Sequence, residues 1–151
     1  MPKLPPYLTL LFFILLVSSV AFFGAQFHPG DWYAHLHKPA WTPANWVFPV
    51  AWSVLYLMIA IAGWLIFSTS NATTKRLWLI QLALNGLWSW LFFGLHLTGF
   101  ALLDVLAMWL TTFMLLVYHP PGAVLWLMMP YLFWISYASA LNLAIFLLNS
   151  A

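Results

Sequence analysis

The chain of 151 residues contains no cysteine. Disulfides, thiolate metal sites and cysteine nucleophiles are excluded with it, and the redox state of its compartment cannot be read. Charge is almost as scarce. Lys3, Lys38, Lys75 and Arg76 stand against Asp31 and Asp104, and together they make up 4% of the chain. A water-soluble domain needs charged side chains over most of its surface, because Lys, Glu, Arg and Asp are the residues that tolerate full exposure. So few charges cannot cover a body of this size. The cations form no run longer than two, so a net charge of +2 offers no nucleic-acid surface and reads instead as a set of topology markers. No phosphate-cradling glycine loop, nucleophile elbow or carboxylate pair is present.

What the chain does have is apolar surface: 66% of its residues are hydrophobic, 20% are aromatic, and the mean hydropathy is +0.98. Lipid is the solvent that fits. Five stretches, approximately 7–25, 46–67, 77–95, 100–118 and 123–148, are long enough to span ~30 Å of hydrocarbon as helices. They are apolar all round and lack the alternation of a barrel strand, which predicts an all-α integral membrane protein, a bundle of five transmembrane helices in one domain. The first stretch is too long for a signal peptide, and no A-x-A site follows it, so a retained helix is expected.

The connections differ in kind. Residues 68–76 are polar, and Asn71, Thr73 and Thr74 are available to cap the next helix. Residues 96–99 form a tight turn that makes helices three and four antiparallel neighbours, and His119-Pro120-Pro121-Gly122 joins a helix stop to rigid turn chemistry. Residues 27–45 form the longest connection, stiffened by Pro29, Pro39 and Pro43 and carrying Trp32, Tyr33 and Trp41. Two readings stand: a structured lid folded onto the bundle, or an aromatic belt at the headgroup level. Lys3, Lys75 and Arg76 fall on one side of a five-span topology and Lys38 on the other, which by the positive-inside rule places the N-terminus in the cytoplasm.

Three helices carry polar or aromatic groups at helical spacing. Trp52 and Tyr56 lie one turn apart, Gln81, Asn85, Trp88, Ser89 and Phe92 share a face, and Pro130, Trp134, Ala138 and Asn142 form an i,i+4 row. Ala138 would leave a gap beside the Trp134 ring. Such faces must point inward, either gluing helices together or lining a pocket for a flat apolar ligand with a few polar edges. Asp104 is the one acid in a span; near a helix N-terminus its expected role is structural, with His96 across the turn as a hydrogen-bond partner. His35 and His37 form an H-x-H pair near His28 and Asp31, but a zinc site needs three or four ligands, and no metal is expected.

In order and spacing, WYAHLHKPAWTPANWVFPVAWSVLYLMIAIAGWL from Trp32, QLALNGLWSWLFFGL from Gln81 and PYLFWISYASALN from Pro130 resemble the tryptophan-rich sensory protein family, also called TspO, translocator protein or peripheral-type benzodiazepine receptor. The resemblance covers three helices and the first loop. It implies a five-helix bundle, usually a homodimer, whose first loop closes over a pocket for protoporphyrin and related tetrapyrroles, with no obligatory cofactor. Carried over by position, that pocket would involve Tyr33, Trp41, Trp52, Tyr56, Asn85, Ser89, Phe92, Trp134 and Ala138. It also implies a sensor or regulator, with a small transporter of porphyrin or other lipophiles as the alternative, in a membrane expected to be that of a bacterial cell. The cholesterol-recognition pattern of animal members wants a Tyr and then a basic residue late in helix five; ALNLAIFLLNSA has neither, so cholesterol is not predicted. Porphyrin propionates are expected at the water-facing rim near Lys38. Indole rings beside a photosensitising tetrapyrrole add light-dependent breakdown of the ligand as an expectation.

Overall fold

Hydrocarbon offers the backbone no hydrogen-bond partner, so a spanning segment must satisfy its own amides, and the helix is the form that does so within one segment. The computed structural model describes residues 5–118 and 122–150. Its helices are α1 (Pro6–Ala25), α2 (Gly30–His35), α3 (Val47–Thr69), α4 (Ala72–Ser89), α5 (Thr98–Tyr118) and α6 (Ala123–Leu148). A π-helical turn, Trp90–Gly94, extends α4. Among the described residues five helices are long and apolar enough to cross a membrane, with α4 and its π turn counted as one. The short α2 lies within the first connection.

Hydropathy alone places the start of α4 five residues too late, because Thr73, Thr74, Lys75 and Arg76 look like loop. The Asn71 side chain accepts the Thr74 backbone N–H at 3.0 Å and its hydroxyl at 3.2 Å, and this cap draws the polar residues into the first turns. Residues 119–121 of the expected helix-stopping turn, and Lys3, lie outside the described residues.

The helices close into a ring. α1 packs on α3 and α4, α3 on α6, α6 on α5, and α5 on α4. Across the ring, at the end where α4 begins, Trp78 fills the centre. Its ring is fully buried, meets Phe13 and Phe67 edge-on, and lies so flat on α3 that a Cβ at Gly63 would sit 2.3 Å from it. Its indole N–H donates to the Ile59 carbonyl at 3.2 Å. Trp64 donates to Thr9 of α1 at 3.1 Å and Trp109 to Ser136 of α6 at 2.7 Å, so the indoles also act as polar ties between helices. This half of the bundle is packed solid, which leaves the other half, under the first connection, to hold a cavity.

Gly63→Ala is therefore expected to force α3 and α4 apart at Trp78, at a cost of about 1–3 kcal/mol. Intrinsic-fluorescence melting in detergent would show a clear fall in midpoint, whereas Gly122→Ala, with open space around it, would leave packing undisturbed.

Candidate functional site

The first connection folds back onto the bundle. Tyr33 of α2 is buried against Phe92 and Phe93 of the π turn, and Trp32 meets Phe92 edge-on. Trp41 and Trp46 point outward, at 50% and 69% exposure. The connection thus has one face that covers the bundle and one of the kind that sits at a headgroup level.

Lys38 holds this segment in shape. Its ammonium donates to the carbonyls of Tyr33, Ala34 and Leu36 at 2.6, 3.2 and 3.1 Å, and sits 4.7 Å from the centre of the Tyr33 ring. A cation here meets the carbonyl end of α2, with Asp31 in the first turn at the opposite end, as the helix dipole favours. Lys38, expected near propionates at the rim, spends its hydrogens on the chain's own carbonyls. Burial, and then Tyr137, push the Tyr33 phenol above its ordinary value, so it stays uncharged through neutral pH.

The connection is also anchored to the bundle. Asn149 accepts the His37 backbone N–H and donates to the His37 carbonyl, both at 2.9 Å. The Tyr137 hydroxyl donates to the Trp41 carbonyl at 2.9 Å. His96 takes a left-handed backbone (φ 58°) where the π turn ends, with the Leu97 N–H reaching back to the Leu91 carbonyl at 2.9 Å. A non-glycine residue in this conformation is strained. Its ring is stacked on Trp32 at 4.0 Å and 10°. His96 was expected to bond Asp104; it does not. Asp104 is buried on the inward stripe of α5, and its carboxyl oxygens, like both polar atoms of Gln81, have no hydrogen-bond partner among the described residues. His35 Nδ1–H donates to the Asp31 carbonyl at 2.7 Å within α2.

Beneath this cover lies a cavity of about 40 Å³. Tyr33, Trp52, Phe92, Trp134 and Ala138 of the carried-over set line it, and Trp88 and Asn142 join them. The remaining four do not. Tyr56 lies below, its hydroxyl donating to Asn85 Oδ1 at 2.7 Å, while Asn85 Nδ2 donates to the Tyr131 hydroxyl at 3.1 Å. Trp41 sits across the rim with its ring edge on Tyr137. Ser89 faces α1, where a Cβ on Gly24 would lie 3.0 Å from its hydroxyl oxygen. Asn142 touches the cavity, but its polar atoms are committed: Oδ1 accepts the Trp88 indole N–H at 3.1 Å, and Nδ2 donates to the Thr98 carbonyl at 2.9 Å. Both asparagines therefore glue helices, and the cavity wall is made of aromatic rings and aliphatic side chains.

Sequence reasoning missed Phe48, Phe93, Val105, Met108, Ile135, Leu141 and Ile145 in the lining. Phe48 stands one turn before Trp52, and Ile145 roughly one turn beyond Leu141 and Asn142, so helical spacing could have found them. Val105 and Met108 come from α5, where they share the buried stripe with Asp104 and Thr112, so the polar residues of that helix were the signal that could have found them.

The TspO/MBR family model matches residues 10–148. The chain belongs to the TspO/MBR family. Among its relatives, protein CrtK of Rhodobacter capsulatus is 38% identical over 135 residues, covering 83% of each chain. The tryptophan-rich protein TspO of Archaeoglobus fulgidus is 41% identical over 145 residues, covering 91% of this chain and 94% of its own. The translocator protein of Bos taurus is 37% identical over 153 residues, covering 91% and 88%. Membership in the family and five apolar helices make this a multi-pass integral membrane protein.

Replacing Lys38 by Met keeps most of the apolar stem and removes three hydrogen bonds from the cover. Amide hydrogen exchange across residues 31–38 is expected to quicken by about tenfold or more in the absence of any ligand, while exchange in α3 to α6 stays as in the parent chain.

Proposed function

We propose that this TspO/MBR family member is a membrane-embedded sensor or regulator that binds a tetrapyrrole of the protoporphyrin type in the capped half of the bundle. The observation that carries the reading is the cavity wall: Trp52, Trp88, Phe92 and Trp134 present rings, while the amides of Asn85 and Asn142 are already bonded to other helices. A wide conjugated face suits such a wall, because aromatic rings attract one another in offset and edge-to-face arrangements beyond their buried area. The propionates remain at the water-facing rim. Relatives named sensory protein and translocator protein are consistent with a receptor for a small molecule in the membrane.

The same reading includes light-dependent breakdown of the bound ligand, with dioxygen as the oxidant and the Trp52 and Trp134 indoles beside the photoexcited ring promoting the reaction. Ala83 and Gly86 of α4 and Ser19 of α1 border a shallow groove on the outside of the ring, and a second copy is proposed to sit there. Lys75 and Arg76 stand at the end of the bundle opposite the cover, which supports a cytoplasmic N-terminus, and bacterial relatives such as CrtK support a bacterial cell membrane.

Titration of the purified protein with protoporphyrin, followed by tryptophan quenching and the Soret band, tests the core of this. Saturable binding is expected, with a loss of about tenfold or more in Ala138→Phe, whose added ring would occupy the gap beside Trp134. Equal binding in the variant would mean nonspecific partition. Under light and air, porphyrin loss should be slower in a Trp52→Phe, Trp134→Phe variant; equal rates would remove the chemical half. Directional uptake into proteoliposomes would favour a transporter.

A further inference from the structure

The cavity is too small for the ligand it is proposed to receive. At about 40 Å³ it compares with ~300–1,000 Å³ for small-molecule sites. Some wall must move, and the walls differ in what holds them. Lifting the cover would break both Asn149–His37 hydrogen bonds, the Tyr137–Trp41 bond and the Trp32–His96 stack.

The side facing lipid is held by much less. Between α3 and α6 runs an open groove of about 560 Å³, lined by apolar side chains including Val50, Val54, Met58 and Phe133. Val50, Val54 and Phe133 are more than half exposed, on a face that a bilayer would bathe. Trp134 lines this groove and the cavity alike, so one indole is shared between the two spaces. Its N–H is buried and has no acceptor among the described residues, whereas Trp64, Trp78, Trp88 and Trp109 each donate to another helix. Turning the Trp134 ring therefore breaks no hydrogen bond. It loosens apolar packing on the core, including ring contacts at 6.0 Å to Phe48, 6.3 Å to Trp52 and 5.9 Å to Tyr137. One turn before it, Pro130 has no N–H to return to the preceding turn of α6, which makes the helix easier to bend at this level.

We propose that Trp134 is a side door, and that the flat apolar ligand enters and leaves from the bilayer through the α3–α6 groove beneath a cover that stays shut. Rotation of the indole joins the cavity to the groove and gives the ligand room beyond the closed space of about 40 Å³. Among the described residues no charged side chain lines the groove, so it suits the apolar ring system, with the propionates left at the headgroup level where α3 begins. This inference rests on the ligand reading above.

The test compares rates in liposomes loaded with protoporphyrin, read by stopped-flow tryptophan quenching. Ala51→Trp places a second indole in the groove without entering the cavity lining. It is expected to slow association and release together by about tenfold or more with affinity little changed, which also certifies the variant's fold. Val54→Phe, a smaller filler, should slow both to a lesser degree. Because the chain has no cysteine, His37→Cys with Asn149→Cys can be oxidised to pin the cover without competing thiols. Its rates are expected to match those of its reduced form. Slow exchange in the pinned protein, or unaltered rates in both groove variants, would overturn the side door while leaving the ligand reading in place. Lack of saturable binding in the parent chain would sink both.

Discussion

Asn85 accepts a hydrogen bond from Tyr56 of α3 and donates one to Tyr131 of α6, tying three helices together from a position on α4. In hydrocarbon each of those groups would cost several kcal/mol if left without a partner, so they find one another. Asn142 does the same between Trp88 and the Thr98 carbonyl. Once the amides have been used in this way, aromatic and aliphatic surface dominates what faces the interior. The apolar character of the candidate site follows from the way the bundle satisfies its polar groups.

The two halves of the ring carry different mechanical roles. Where Trp78 lies on Gly63, the centre is filled by interlocked rings and a hydrogen bond to the Ile59 carbonyl, and no helix can shift without a clash. Above the Asn85 bridge Trp52 and Trp134 meet edge-on, Trp88 stacks on Phe92, and these rings border a narrow gap. A rigid base below a cavity whose wall includes the unbonded indole of Trp134, shared with the outer groove, confines movement to the region where a ligand would act.

Much of the site was legible because helical spacing is local. Trp52, Phe92, Trp134 and Ala138 could be placed on inward faces from i,i+4 positions, and they do meet around the cavity. Ser89 shares the polar face of α4 in sequence, yet it packs toward Gly24, because that face is wide enough to meet both α1 and the interior. Lys38 looked available to a ligand, and nothing local shows that the carbonyls of Tyr33, Ala34 and Leu36 converge on it. His96 and Asp104 are close in the chain, but the left-handed turn at His96 directs its ring to Trp32.

The sequence by itself determined the solvent, the number of spans and the family, since scarce charge, helix-length apolar runs and ordered aromatic motifs are properties of the chain read in one dimension. Which polar groups were left for a ligand was decided only by the tertiary structure. Partners such as Asn149 and His37, 112 residues apart, and Asn85 and Tyr131, 46 apart, are brought together by the ring of helices and by no local pattern. The same holds for Trp134, whose place between cavity and bilayer depends on how α3 and α6 lean together.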